Sequence, residues 1–273
     1  MTTNEMNIKP SGGYPWRLFW LLFVAAIASA LAIVPAALEL MVPVMKAAGP
    51  PPMPLPLLIV VGVVQNLSII GIAVGLGVLL SRKIGLRAPL LEGWLNHEPV
   101  AAKARASAKS GIVVGVLVGV VVLAALLALV PRFPQLPFVG VSRIAVWKRF
   151  LMCFYGGIYE EILTRLFLLS LFAWVGMKLF QKEKGRLSGL SFWLANILVA
   201  ILFGLGHLPS ASLVMPITPM VVAAALLLNG VAGIAFGYLY RKRGLESAMM
   251  AHFCADFVVY VLGVAFLRFL PLH

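Results

Sequence analysis

Residues 111–130 read GIVVGVLVGVVVLAALLALV, twenty positions without a charged, amide or hydroxyl side chain. As a helix rising 1.5 Å per residue, twenty residues span about 30 Å, the thickness of a bilayer's hydrocarbon core. In water such a run has nowhere to go. Its small residues, Gly111, Gly115 and Gly119, recur every fourth position, the spacing that lets helix backbones approach closely in lipid. Lys109 precedes the run and Pro131 follows it.

Six further stretches repeat the pattern, giving spans at roughly 17–45, 55–81, 108–131, 145–178, 190–208, 218–240 and 246–268. The whole chain agrees, being 62% hydrophobic and 11% charged over 273 residues, with a mean hydropathy of +1.03. Soluble domains are about 45–50% apolar and about 25% charged. The expected fold is therefore all-α, a polytopic transmembrane helical bundle of about seven spans, with six to eight as the range. Disorder, collagen, coiled coil and a disulfide scaffold are excluded. Cys153 and Cys254, the two cysteines, both lie in apolar runs and imply no disulfide framework. The first span starts too deep and runs too long for a cleavable signal peptide, so it reads as retained, with Pro35 as a kink. Pro50, Pro51, Pro52, Pro54 and Pro56 mark the first loop, and Pro131, Pro134 and Pro137 break the chain after the third span. The mixed stretch 82–107 suits an interfacial segment. Asn66-Leu67-Ser68 has a glycosylation pattern but falls inside a span.

The formal charge is +13, from 22 Lys and Arg against 9 Asp and Glu. The bases fall between apolar runs and show no stripe with interleaved aromatics, which argues against nucleic acid as a partner and for anionic headgroups. With the N-terminus cytoplasmic and seven alternating spans, fifteen bases fall on the cytoplasmic side and six on the other, leaving Arg165 inside a span. The positive-inside rule favours that orientation. Arg132, Arg143, Lys148 and Arg149 crowd the opposite side and fit it poorly.

Polar groups in hydrocarbon cost several kcal/mol and mark function by default. They concentrate in the second half. The fourth span reads Gly156-Gly157-Ile158-Tyr159-Glu160-Glu161-Ile162-Leu163-Thr164-Arg165. Glu161 and Arg165 are one turn apart and pair. Glu160 points about 100° away, leaving a carboxyl of the kind that serves as general base or acid. The fifth span ends Phe203-Gly204-Leu205-Gly206-His207, and the seventh carries His252 and Asp256 on one face. Taken singly, each is explained by packing or a local hydrogen bond; their coincidence on three helices is not. Glu39 and Glu246 read as interfacial, His97 and His273 as exposed.

Taken in order, Glu160-Glu161-x-x-x-Arg165, Phe203-x-x-x-His207 and His252-x-x-x-Asp256 resemble the three-motif signature of the type II CAAX prenyl proteases, the CPBP (Abi) family of intramembrane proteases, over about residues 145–260. The resemblance implies a variable transmembrane region at 1–140, of three spans plus the interfacial segment, and a catalytic core at 141–273. By motif it makes Glu160 the general base that activates water, with His207 helping to hold that water. His252 and Asp256 would stabilise the oxyanion, Glu161 and Arg165 would orient the first motif, and Phe203 would pack beside the site. The family commonly has asparagine where this chain has Asp256, replacing an amide donor by an acid. Glu160, His207, His252 and Asp256 are also the ligand types of a zinc site, although no His-Glu-x-x-His occurs. The favoured mechanism needs no cofactor; the alternative uses a divalent metal such as zinc on those four residues. The implied partners are a peptide or protein substrate, prenylated in the type II enzymes, and the lipid bilayer, with a prokaryotic plasma membrane as the expected location.

Two rival readings follow from the same residues. A proton-coupled transporter would use Glu160, His207 and His252 as a relay, and predicts inverted repeats that the two halves do not show. A non-catalytic membrane or immunity protein on the same fold would tolerate loss of Glu160. One geometric condition falls on the site itself. His252 is nine residues from Arg243, whereas Glu160 and His207 are 18 and 21 residues from Lys178 and Arg186. Straight helices of equal depth would keep these groups apart, so the site requires tilt, an extended fourth helix or a shifted span.

Overall fold

The computed structural model describes residues 15–48, 54–133, 136–180 and 187–269. Among them are seven helices long and apolar enough to cross a membrane: Trp16–Val44, Pro56–Lys83, Ala101–Leu129, Val146–Phe180, Gly189–Ser212, Pro219–Arg243 and Leu245–Leu267. No strand occurs among the described residues, so the expected all-α bundle is the fold observed. Pro50, Pro51, Pro52, Pro134 and His273 lie outside the described residues, as do Lys9, Lys182, Lys184 and Arg186 among the bases counted by side, and the side chains of Lys46 and Arg268.

Helix α1 (Trp16–Ala48) continues through Pro35 and Pro43. Helix α2 (Leu55–Lys83) ends on Arg82 and Lys83. The interfacial segment contains one short helix, α3 (Pro89–Leu95), ahead of α4 (Ala101–Leu129). After the short α5 (Pro137–Val141), the fourth span begins as α6 (Val146–Phe154) and ends as α7 (Ser170–Phe180). Between them the turns widen to π-helix over Tyr155–Glu160 and Ile162–Leu169, a distortion frequent at functional sites. Helix α8 (Gly189–Leu205) starts where Ser188 Oγ accepts the Ser191 amide at 3.0 Å. The chain then turns through α9 (Leu208–Ser212) into α10 (Pro219–Arg243), capped by Thr218 and closed by Gly244 at φ +100°. Only glycine adopts that backbone without strain. Helix α11 (Leu245–Asp256) follows, passing into π-helix at Phe257–Leu262 and 3-10 helix at Gly263–Phe269.

The glycine spacings are intramolecular seams. A Cβ on Gly111 would come within 2.9 Å of the Ser247 carbonyl, and one on Gly119 within 2.9 Å of the Ala255 carbonyl. Gly115 meets the Ala251 backbone between them, so α4 lies directly along α11. Gly233 and Gly237 of α10 meet Ala200 and Asn196 of α8 in the same way.

The four bases that fitted the charge rule poorly are partly accounted for. Lys148 Nζ pairs with Glu39 at 2.7 Å, and Arg149 Nη1 donates to the Tyr260 carbonyl at 3.1 Å. Those two hold helices together. Glu246 does lie near its span's end, and it anchors α3: its Oε1 accepts the Leu90 and Leu91 amides, each at 2.8 Å. The Leu245 amide donates to the Arg87 carbonyl at 3.1 Å, which seats the start of the seventh span against the interfacial segment.

For Glu160 and His252, whose side chains meet at 3.7 Å, the depth condition is met by an extended fourth helix. That span is 35 residues long, at most about 52 Å at the α-helical 1.5 Å per residue and somewhat less through its π turns, against a core of about 30 Å. Gly77 of α2 meets Leu166, where an added Cβ would stand 3.0 Å from the Leu166 carbonyl oxygen. From that level α2 ends at Lys83, whereas the fourth helix continues to Phe180. Its end thus projects past the basic end of its neighbour, and Glu160 sits shallower than its distance from Lys178 implied.

Candidate active site

Gly156 and Gly157 decide how close α11 comes to the fourth span. A Cβ on Gly157 would fall 2.9 Å from that of Phe253, and one on Gly156 would collide with the Asp256 carboxylate and stand 3.0 Å from His252 Nε2. With no side chain at either position, the imidazole of His252 lies directly against the wall that carries both glutamates.

Arg165 and Glu161 form the base of the site. Their side chains are 1% and 0% exposed, and Nη1 meets Glu161 Oε1 at 2.8 Å. The guanidinium also donates to Thr164 Oγ1 at 2.6 Å and to the Gly233 carbonyl at 3.1 Å. Phe203 and Phe236 flank it, with ring centroids 5.0 and 5.6 Å from Cζ. Thr164 in turn donates to the Glu160 carbonyl. The guanidinium is thus well supplied with acceptors, whereas the carboxylate's bonds all fall on Oε1 and its buried Oε2 has no hydrogen-bond partner among the described residues.

Glu161 Oε1 is shared with His252, whose Nδ1 lies 2.7 Å away. The carboxylate is an acceptor only, so Nδ1 carries the proton and the ring's orientation is fixed. Nε2 then faces the other two carboxyls, 3.7 Å from Glu160 Oε2 and 3.8 Å from Asp256 Oδ1. Phe236 underlies the imidazole at 5.0 Å between centroids, and Phe203 meets it edge-on at 5.8 Å. Glu160 and Asp256 keep partial exposure, 23% and 17% of their side chains, while Glu161 keeps none. The adjacent glutamates therefore face different surroundings: one is locked in the base, the other is partly exposed.

His207 is held separately. It follows α8, its Nδ1 sits 2.8 Å from the Phe203 carbonyl, and its ring meets Phe203 edge-on at 4.8 Å. Among the described residues no hydrogen bond or ion pair joins His207 to Glu160, His252 or Asp256. Phe203, in ring contact with both histidines, bridges them.

The donor types suit a metal, but the arrangement does not form a ligand set: among the described residues no group of three or more His, Cys, Asp or Glu is placed to hold an ion. Nδ1 of His252 is committed to Glu161, and His207 stands apart.

Sequence reasoning missed five contributors. Gly156 and Gly157 carried a signal, a glycine pair directly before two carboxylates in a span. Thr164 did as well, as a hydroxyl in the same motif. Phe236 and the Gly233 carbonyl carried none, because an apolar residue in an apolar helix and a backbone oxygen look like any other.

Residues 142–258 match the model of the family described as Type II CAAX prenyl endopeptidase Rce1-like. No curated protein and no solved structure matches the chain. The matched segment contains Glu160, Glu161, Arg165, Phe203, His207, His252 and Asp256, and over those residues this integral membrane protein is similar to the type II CAAX prenyl endopeptidase, Rce1-like, family.

Proposed function

We propose that the chain is an intramembrane endopeptidase that hydrolyses a peptide bond of a membrane-associated, CAAX-type substrate by means of water activated at Glu160. The observation that carries this reading is the convergence of Glu160 and Asp256 on His252 Nε2, at 3.7 and 3.8 Å, while Glu161 holds the opposite edge of the same ring. Amide hydrolysis needs a base beside a water and a donor aimed at the developing oxyanion, and two partly exposed carboxyls around one oriented imidazole supply both. Glu160 takes a proton from water as the oxygen adds to the scissile carbonyl. His252, in its doubly protonated form, donates from Nε2 to the oxyanion, and Asp256 balances that charge. The proton on Glu160 then passes to the leaving nitrogen as the carbon–nitrogen bond breaks. His207, reached through Phe203, closes on the water when substrate is bound.

No step is routed through a metal. The orientation we adopt places the basic ends of α2 and α10 on the cytoplasmic side of a prokaryotic plasma membrane. The test is cleavage of a farnesylated CAAX peptide by the full chain in liposomes, with and without a strong chelator. Wild type is expected to cleave in both conditions, and Glu160→Ala to lose about 10²–10⁴-fold in rate. Undiminished turnover by Glu160→Ala would remove the assigned base, loss of wild-type activity with chelator would restore a metal, and no cleavage by wild type would overturn the peptidase reading with this substrate class.

A further inference from the structure

We propose that Asn229 of α10 anchors the backbone of the bound substrate, an inference that rests on the peptidase reading above. Two asparagines lie inside spans at the α8–α10 pair, and they are used differently. Asn196 is 1% exposed, and its Nδ2 crosses to the Ile234 carbonyl of α10 at 3.1 Å. Its amide joins two helices. Asn229 is half-buried, and its Nδ2 donates to Ala225 of its own helix at 3.0 Å. Among the described residues its Oδ1 and second N–H have no partner. A carboxamide in a span without interhelical bonds is costly unless something else engages it.

Its direction follows from helix geometry. Asn229 precedes Phe236 by seven residues, which returns it to within about 20° of the same face. That face is the buried one, carrying Ala232, Phe236 and Tyr240, and Phe236 contacts His252. Asn229 therefore continues, about 10 Å farther along α10, the line of residues that underlies the candidate site. Its level on α8 is fixed by a shared carbonyl: Ala225 O, which Asn229 bonds, lies 3.1 Å from the Cβ position of Gly204. The carboxamide thus stands at the level of Gly204, in the last turn of α8 between Phe203 and His207 in sequence.

A carboxamide is donor and acceptor at once, the pairing that a peptide group presents. Oδ1 would accept a substrate N–H and the free Nδ2 hydrogen would donate to a substrate carbonyl.

The test uses the full chain in detergent with a labelled, farnesylated CAAX peptide, comparing wild type with Asn229→Leu and Asn229→Gln. Peptide binding is read by fluorescence anisotropy and cleavage by steady-state kinetics. Asn229→Leu should raise Kd and KM about tenfold while kcat stays within about twofold, the size of one neutral hydrogen-bonding group. Asn229→Gln should recover part of the loss. Equal Kd and KM in wild type and Asn229→Leu would overturn the anchor and leave the peptidase standing. Binding without cleavage by wild type would sink the peptidase, with the Kd comparison still deciding the anchor. No binding by wild type would overturn both.

Discussion

The first three spans and the last four do different work in the same solvent. In the most apolar window of each, 22%, 17% and 17% of residues are buried in the first three, against 39%, 44%, 28% and 44% in the others. The early helices show lipid most of their surface and enclose the rest along single seams, such as the glycine line of α4 on α11. The later ones hold, at their centre, a fully buried arginine–glutamate pair, a histidine fixed at Nδ1 and faced by two carboxyls at Nε2, and aromatic rings packed around them. In lipid, apolar burial gives little driving force between helices, so position must come from small-residue contacts and polar bonds. Hydrophobicity alone satisfies most of the first region; particular atoms are required in the second.

That contrast can be broken at its strongest point. Arg165→Met leaves Glu161 buried without its cation, an expected loss of about 3–5 kcal/mol that thermal unfolding in detergent should register. Arg165→Met with Glu161→Gln should recover part of it, because the uncompensated charge is gone. A single variant as stable as wild type would mean that the buried pair does not hold the second region together.

A smaller effect is expected where the two regions meet. Gly115→Leu has no room against the Ala251 backbone and should cost about 1–3 kcal/mol by overpacking. It should also slow cleavage, since Ala251 adjoins His252. Gly62→Leu, with nothing within 4 Å, should leave both readouts unchanged. Equal behaviour of the two variants would erase the distinction between a seam and a lipid-facing surface.

The weakest effect belongs to the outer rim. Lys148 and Glu39 meet at 2.7 Å but remain 24% and 40% exposed. Lys148→Met should change stability by no more than about 1 kcal/mol, and added salt should shift the wild type toward the variant. A loss comparable to that of Arg165→Met would show the pair to be effectively desolvated.

Much of this was legible in the chain. Apolar run length gave the seven spans, because a helix must satisfy its own backbone in lipid and its rise per residue fixes how many residues cross. The Glu161–Arg165 pair followed from a spacing of four, and the shared face of His252 and Asp256 from the same rule. These are properties of one helix, and local geometry sets them.

Other features arise between helices, where sequence has no coordinate. Glu161, expected to orient the first motif, also grips Nδ1 of His252, 91 positions away. His207 and His252 share a motif set, yet Phe203 stands between them. The depth condition, which straight helices fail, is met for Glu160 and His252 because the fourth helix outruns α2 and its turns widen on either side of Glu161. Periodicity fixes angle around an axis and length along it, but not how far one axis is shifted against another. That shift is set by which side chains are missing, at Gly156, Gly157, Gly77 and Gly115, and close approach between two backbones exists only once both are in place.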